Sequence, residues 1–119
     1  MIIGIDIGSS MTKAVLLNNA EKNTEIIQKT KTKTTNPAAS AREVFEKILS
    51  ANNTAISEIK KIMLTGSGAS KMDNNFFEIP VNKVDEITSI GIGGMFLSGK
   101  ENIIITNIEI GRASCRERV

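Results

Sequence analysis

The sequence predicts an α/β domain whose mixed sheet begins as a three-strand antiparallel hairpin region, continues in parallel strands and is flanked by helices. Three observations carry that expectation. Three stretches within the first 34 residues read as strands, the first of them alternating apolar and polar side chains with a period of two, the mark of a half-buried strand. Ala41, Val44, Phe45, Ile48 and Leu49 then recur at helical spacing. Beyond them, apolar runs at 62–65 and 102–108 alternate with helix signals, the order produced by right-handed crossovers into parallel strands.

Taken in order, Ile3, Ile5 and Ile7 alternate with Gly4, Asp6 and Gly8, so three isoleucines share one face and a lone carboxylate lies between glycines on the other. Gly8, Ser9 and Ser10 read as a tight turn, and 11–17 as a returning antiparallel strand with Thr12 and Lys13 at its start. That combination looks built to hold phosphate. A polar turn at 18–23 leads into a third strand over 24–34, from which Lys29, Lys31 and Lys33 project on one face. They read as solvated lysines protecting an edge strand in preference to a basic phosphate-binding stripe. Thr35-Asn36-Pro37 breaks the strand, and Pro37 suits the first turn of the amphipathic helix, which runs to about Ala51.

After a polar break at 52–54, residues 55–60 make a short turn or helix before the strand at 62–65. The loop Gly66-Ser67-Gly68-Ala69-Ser70 follows. Glycines directly after a strand let backbone amides approach a ligand, and an ensuing helix N-terminus favours an anion, although turn geometry alone also calls for glycine. Phe76, Phe77, Ile79 and Val81 supply an apolar connection, irregular or a short strand around Pro80. Ile87, Ile90, Gly91 and Gly94 then share a helical face, with Asp85 and Glu86 in the first turn, where acidic residues compensate the helix dipole, and Gly99 suited to the C-cap. Three glycines inside that helix cost about 2 to 3 kcal/mol relative to alanine. They call for a close approach to the sheet or to a ligand.

The outer bounds agree with an ordinary globular protein. At 119 residues, 40% hydrophobic and 24% charged, the chain is one domain or part of a larger protein. No apolar run approaches a bilayer's thickness, and no basic region precedes the first strand, so a cytoplasmic location without membrane contact is expected. The net charge of +2 is concentrated at the end: residues 1–109 hold twelve basic and twelve acidic side chains, which removes the argument for nucleic acid. Three of the four arginines and the single cysteine, Cys115, fall in the last eight residues. The segment 110–119 resembles one reading frame of a sequencing-library adapter translated as protein. We therefore divide the chain into a domain over 1–108 and a non-native tail over 109–119, and expect no function from Cys115.

The motif Gly4-Ile5-Asp6-Ile7-Gly8-Ser9-Ser10-Met11-Thr12-Lys13 is similar to the first phosphate motif of the RNase H-like, actin-like ATPase superfamily, which includes sugar kinases and the 70-kDa heat-shock proteins. The resemblance covers residues 1–108 and corresponds to the first of two such domains. Within the superfamily, Lys83-Val84-Asp85-Glu86, then Ile90-Gly91-Ile92-Gly93-Gly94, Leu97-Ser98-Gly99 and Thr106-Asn107-Ile108 look most like type II pantothenate kinases. That family's next element is a Gly-Ser/Thr-Gly loop, and here the adapter-like segment starts in its place.

The resemblance implies a kinase that transfers the ATP γ-phosphate to pantothenate at the start of coenzyme A synthesis, homodimeric when complete, with this chain an inactive fragment of it. It implies Asp6 as the orienting ligand of Mg2+, which prefers oxygen and keeps several waters. It assigns Gly8, Ser9, Ser10, Thr12 and Lys13 to the phosphates, where positioning and charge stabilisation carry most of the reaction, and Glu86 as base toward the pantothenate hydroxyl. Two alternatives share the opening motif. The activator ATPases of 2-hydroxyacyl-CoA dehydratases use ATP as a conformational switch and carry cluster-binding cysteines, and the loop Gly66-Ser67-Gly68-Ala69-Ser70 fits theirs poorly; actin-like assembly ATPases polymerise without an enzymatic substrate beyond the nucleotide.

Overall fold

In the computed structural model, which describes residues 1–20, 23–100, 104–109 and 112–116, the chain forms two units, Met1–Lys83 and Val84–Val119. The first is built on a six-stranded mixed sheet. Its strands are β1 (Ile2–Ile7), β2 (Met11–Ala20), β3 (Asn23–Lys33), β4 (Lys61–Thr65), β5 (Asn75–Phe76) and β6 (Ile79–Lys83), in the order β3-β2-β1-β4-β6-β5. β2 is antiparallel to both β1 and β3, whereas β4 runs parallel to β1 and β6 parallel to β4.

The period-two reading of β1 sets the two faces of this sheet. Ile3, Ile5 and Ile7 lie opposite Leu16, Ala14 and Thr12 on β2, and Ile3 and Ile5 opposite Ile62 and Leu64 on β4. All of these side chains are buried. Helix α1 (Pro37–Ala51) lies against β1, β2 and β3 and closes that face with Ala41, Val44, Phe45, Ile48 and Leu49. Each fully buried Ile, Leu, Val or Phe contributes about 1.5 to 3 kcal/mol. Thr32 of β3 faces the same way, its hydroxyl donating to Glu43 Oε1 of α1 at 2.9 Å. Residues 29, 31 and 33 of the same strand therefore lie on the opposite face.

α1 starts where the sequence places it. Asn36 is the N-cap and accepts a hydrogen bond from the Ala39 amide at 3.1 Å, with Pro37 in the first turn, an arrangement worth about 1 kcal/mol. Ser40, buried in that turn, accepts from the Thr35 amide at 3.1 Å and so ties the end of β3 to the helix. The expected short turn or helix is a 3-10 turn at Ile56–Glu58. Before it, Asn53 leaves the helix with φ of 50°.

The short strand expected as one option around Pro80 is β6, and its pairing with β5 goes beyond the sequence expectation. The stretch around Pro80 is a hairpin, β5 to β6, in which Phe76 pairs with Ile79 and Phe77 and Glu78 form the two-residue loop. Both loop residues have positive φ, 54° and 60°, a conformation that hairpins usually give to Asn-Gly. The aromatic ring offsets that strain: Phe77 stacks on Phe45 at 4.6 Å and meets Phe76 edge-on at 4.7 Å, and the Arg42 guanidinium lies 4.5 Å from its centroid. β6 thereby becomes the parallel neighbour of β4.

In the second unit, α2 (Glu86–Ser98) has Asp85 as its N-cap, accepting from the Thr88 amide at 2.9 Å, and ends at Gly99 with φ of 69°. The strand expected over 102–108 is β7 (Ile105–Glu109). It pairs antiparallel with β8 (Arg112–Arg116) in a separate two-stranded sheet, where the sequence predicts a further parallel strand. Asn102 and Ile103 lie outside the described residues. Among the described residues, no helix is long and apolar enough to cross a membrane.

Candidate nucleotide-phosphate site

Gly8 closes the β1 to β2 turn, donating its amide to the Met11 carbonyl at 3.0 Å, and a Cβ built on it would lie 2.8 Å from that oxygen. Only glycine fits so tight a turn. Ser9 and Ser10 at its tip are exposed, and the Thr34 amide donates to the Ser10 carbonyl at 2.9 Å, pinning the tip to the end of β3.

A second loop folds over the adjacent strand end. Gly66, directly after β4, has φ of 93°, and a Cβ there would stand 2.5 Å from both Asp6 Oδ1 and the Ile7 carbonyl oxygen. The Gly68 amide donates to that Ile7 carbonyl at 2.9 Å, and a side chain at Gly68 would run into Ile7 and Pro37. The glycines thus serve close approach to β1 and to the carboxylate. The helix expected after this loop is a three-residue 3-10 turn, Ala69–Lys71, too short to present a helix dipole.

Register gathers the polar residues into one row. Asp6 lies opposite Lys13 on β2 and opposite Thr65 on β4, and Lys13 lies opposite Lys31 on β3. Directly paired residues share a face, so Lys31, Lys13, Asp6 and Thr65 cross the sheet on the side away from α1. Asp6 Oδ1 is buried whereas Lys13 is exposed. Thr65 Oγ1 is buried with no hydrogen-bond partner among the described residues, so an oxygen lone pair and a hydroxyl proton remain to be used beside the carboxylate.

The structure thus brings Asp6, Gly8, Ser9, Ser10 and Lys13 together at one end of the sheet. Thr12 is set apart: it is fully buried on the α1 side, and its hydroxyl shares a 2.8 Å hydrogen bond with Thr34. Glu86 belongs to the second unit, where it opens α2 just after the Asp85 cap. Thr65 and Gly66 were not singled out by the sequence as partners of Asp6, because no local pattern announces which strand lies beside β1.

This donor set fits Mg2+ carried by a nucleotide better than a metal caged by protein. Among the described residues, no three His, Cys, Asp or Glu side chains come together to hold a metal. One carboxylate with a neighbouring hydroxyl suits a cation whose other ligands are phosphate oxygens and water.

Solved structures share this architecture, and one of them holds a bound nucleotide analogue. The chain is similar to the activator of the 2-hydroxyisocaproyl-CoA dehydratase from Clostridium difficile with bound ADPNP, with a TM-score of 0.70 at 19% identity over 98% of this chain and 45% of that one. It is similar to the Acidaminococcus fermentans (R)-2-hydroxyglutaryl-CoA dehydratase component A, with a TM-score of 0.71 at 15% identity over 98% and 47%. YeaZ from Pseudomonas aeruginosa matches at 0.58 and 12% identity, over 98% and 59%. The chain spans less than half the length of the two dehydratase proteins. These likenesses establish an actin-like ATPase fold, as the opening motif predicts, and do not extend to pantothenate specificity. No curated protein sequence matches the chain. The family described as the hydantoinase/oxoprolinase N-terminal region matches residues 2–98, and the chain belongs to that family.

Proposed function

We infer that this chain supplies the phosphate-binding N-terminal part of an ATPase that uses ATP as a conformational switch, in the manner of a dehydratase activator. The observation carrying this reading is the convergence of the Gly8–Met11 turn and the Gly66 loop on the Asp6 carboxylate, in a fold shared over 98% of the chain with an ADPNP-bound activator. In this reading Lys13 neutralises phosphate charge, and Ser9 and Ser10 offer hydroxyls and the turn backbone. Asp6 and Thr65 hold Mg2+ or its water, and Mg2+, when bound, neutralises charge on the phosphate oxygens. Thr12 acts by fixing the turn through Thr34.

The finer kinase reading is kept as a second proposal, supported by the run Lys83-Val84-Asp85-Glu86 that leads into α2. There Glu86 is the base toward pantothenate. The family's own name adds cyclic amides, hydantoins and oxoproline, as a further acceptor class. One experiment separates the three. ATP turnover by the full-length protein is measured alone, with pantothenate, and with 5-oxoproline or hydantoin. The switch reading expects turnover unchanged by any of these small molecules. Pantothenate-dependent phosphorylation establishes the kinase instead, and amide-dependent turnover the hydrolase. Sedimentation of the same sample checks the proposed homodimer.

A further inference from the structure

We propose that Lys31 on β3 is a second cation for the nucleotide's polyphosphate, acting beside Lys13; the proposal rests on the phosphate-site reading above. Four lysines, Lys13, Lys29, Lys31 and Lys33, are exposed on the sheet face that carries Asp6. Lys29, Lys31 and Lys33 form no salt bridge among the described residues. Lys31 is the one placed directly opposite Lys13, in the same row as Asp6 and two strand spacings from it, about 10 Å.

Directly opposed like charges destabilise a sheet, so the Lys13–Lys31 pair needs a compensating anion or carries a standing penalty. Edge protection explains lysines on β3 in general but not their alignment with the phosphate row. At this point of the β3 edge, Lys47 Nζ of α1 donates to the Lys31 carbonyl at 3.3 Å in an exposed hydrogen bond. That contact fixes the Lys31 backbone while its side chain stays on the Asp6 face. A polyphosphate held at the Gly8–Met11 turn and Lys13 converts the repulsion between the two ammonium groups into shared attraction. Lys29, opposite Val15, has no such partner.

The test measures ADPNP affinity of the full-length protein, with Mg2+, for Lys31→Gln, Lys29→Gln and Lys13→Met at low and at physiological salt. Lys31→Gln is expected to weaken binding about threefold to tenfold, with a smaller loss at higher salt. Lys29→Gln is expected to bind as the wild type does. Thermal unfolding of all variants without nucleotide controls for folding, since these side chains are exposed. If Lys31→Gln and Lys29→Gln behave alike while Lys13→Met loses binding, the Lys31 assignment is overturned and the phosphate site stands. Binding unaffected by Lys13→Met overturns both.

Discussion

At Gly66 the absence of a side chain is a geometric requirement, and the requirement can be measured. Gly66→Ala combines positive φ with contacts of 2.5 Å to backbone and carboxylate oxygens. It is expected to cost about 2 to 4 kcal/mol in chemical denaturation and to weaken nucleotide binding through Asp6. Gly93 is the contrast, since among the described residues nothing stands within 4 Å of its missing Cβ. Gly93→Ala is expected to stabilise by up to about 1 kcal/mol, and a loss of stability there would show that α2 needs the bare backbone. Thr12→Val separates two roles for one hydroxyl. A structural role through Thr34 predicts a loss of about 1 kcal/mol with ADPNP affinity kept, whereas direct phosphate contact predicts the affinity to fall. The clustering of Asp6, Gly8, Ser9, Ser10 and Lys13 at one end of the sheet was legible in the sequence because they are neighbours in one hairpin. Thr65 stayed hidden, because its place beside Asp6 is set by a pairing across 59 positions, and Thr12 was grouped with the phosphate residues although the strand period turns it toward α1.

Among the elements, β1, β2, β3, α1 and α2 were legible from periodicity, with Pro37 at one helix start and Gly99 at the end of the other; that Asn36 and Asp85 are the N-caps comes from the structure. The pairing of β5 with the short strand at Pro80 was not legible, since Phe77-Glu78 lacks turn chemistry. Long-range aromatic packing on Phe45 decides that turn, and short-range sequence carries no sign of it. Glu78→Gly relieves the second positive φ without touching the rings, and is expected to raise stability by about 0.5 to 1 kcal/mol in urea. Phe45→Ala removes the ring under Phe77 and a fully buried core side chain. A loss of about 3 to 5 kcal/mol is expected, and a much smaller one would mean that the hairpin is held by its backbone pairing alone.

For the whole molecule, both solved dehydratase proteins are more than twice as long as this chain. On the switch reading proposed above, the 119-residue chain by itself is expected to show no ATP turnover above background in a phosphate-release assay, whereas a protein of the solved relatives' length is expected to turn ATP over. Robust turnover by the short chain would overturn the view that phosphoryl chemistry needs the rest of the protein. The mixed pairing of β1 also bears on how the site comes into being. Its β2 side is a local hairpin that can close within microseconds, but its β4 side joins Asp6 to Thr65 only after a long loop has closed, a step that slows folding. The contact between the Gly66 loop and the carboxylate is therefore expected to form after the hairpin, and on the proposed reading the phosphate site is complete only then. Bound ADPNP should consequently slow amide hydrogen exchange in β4 as well as in the turn at Gly8, making the ligand a reporter of the parallel strand's docking.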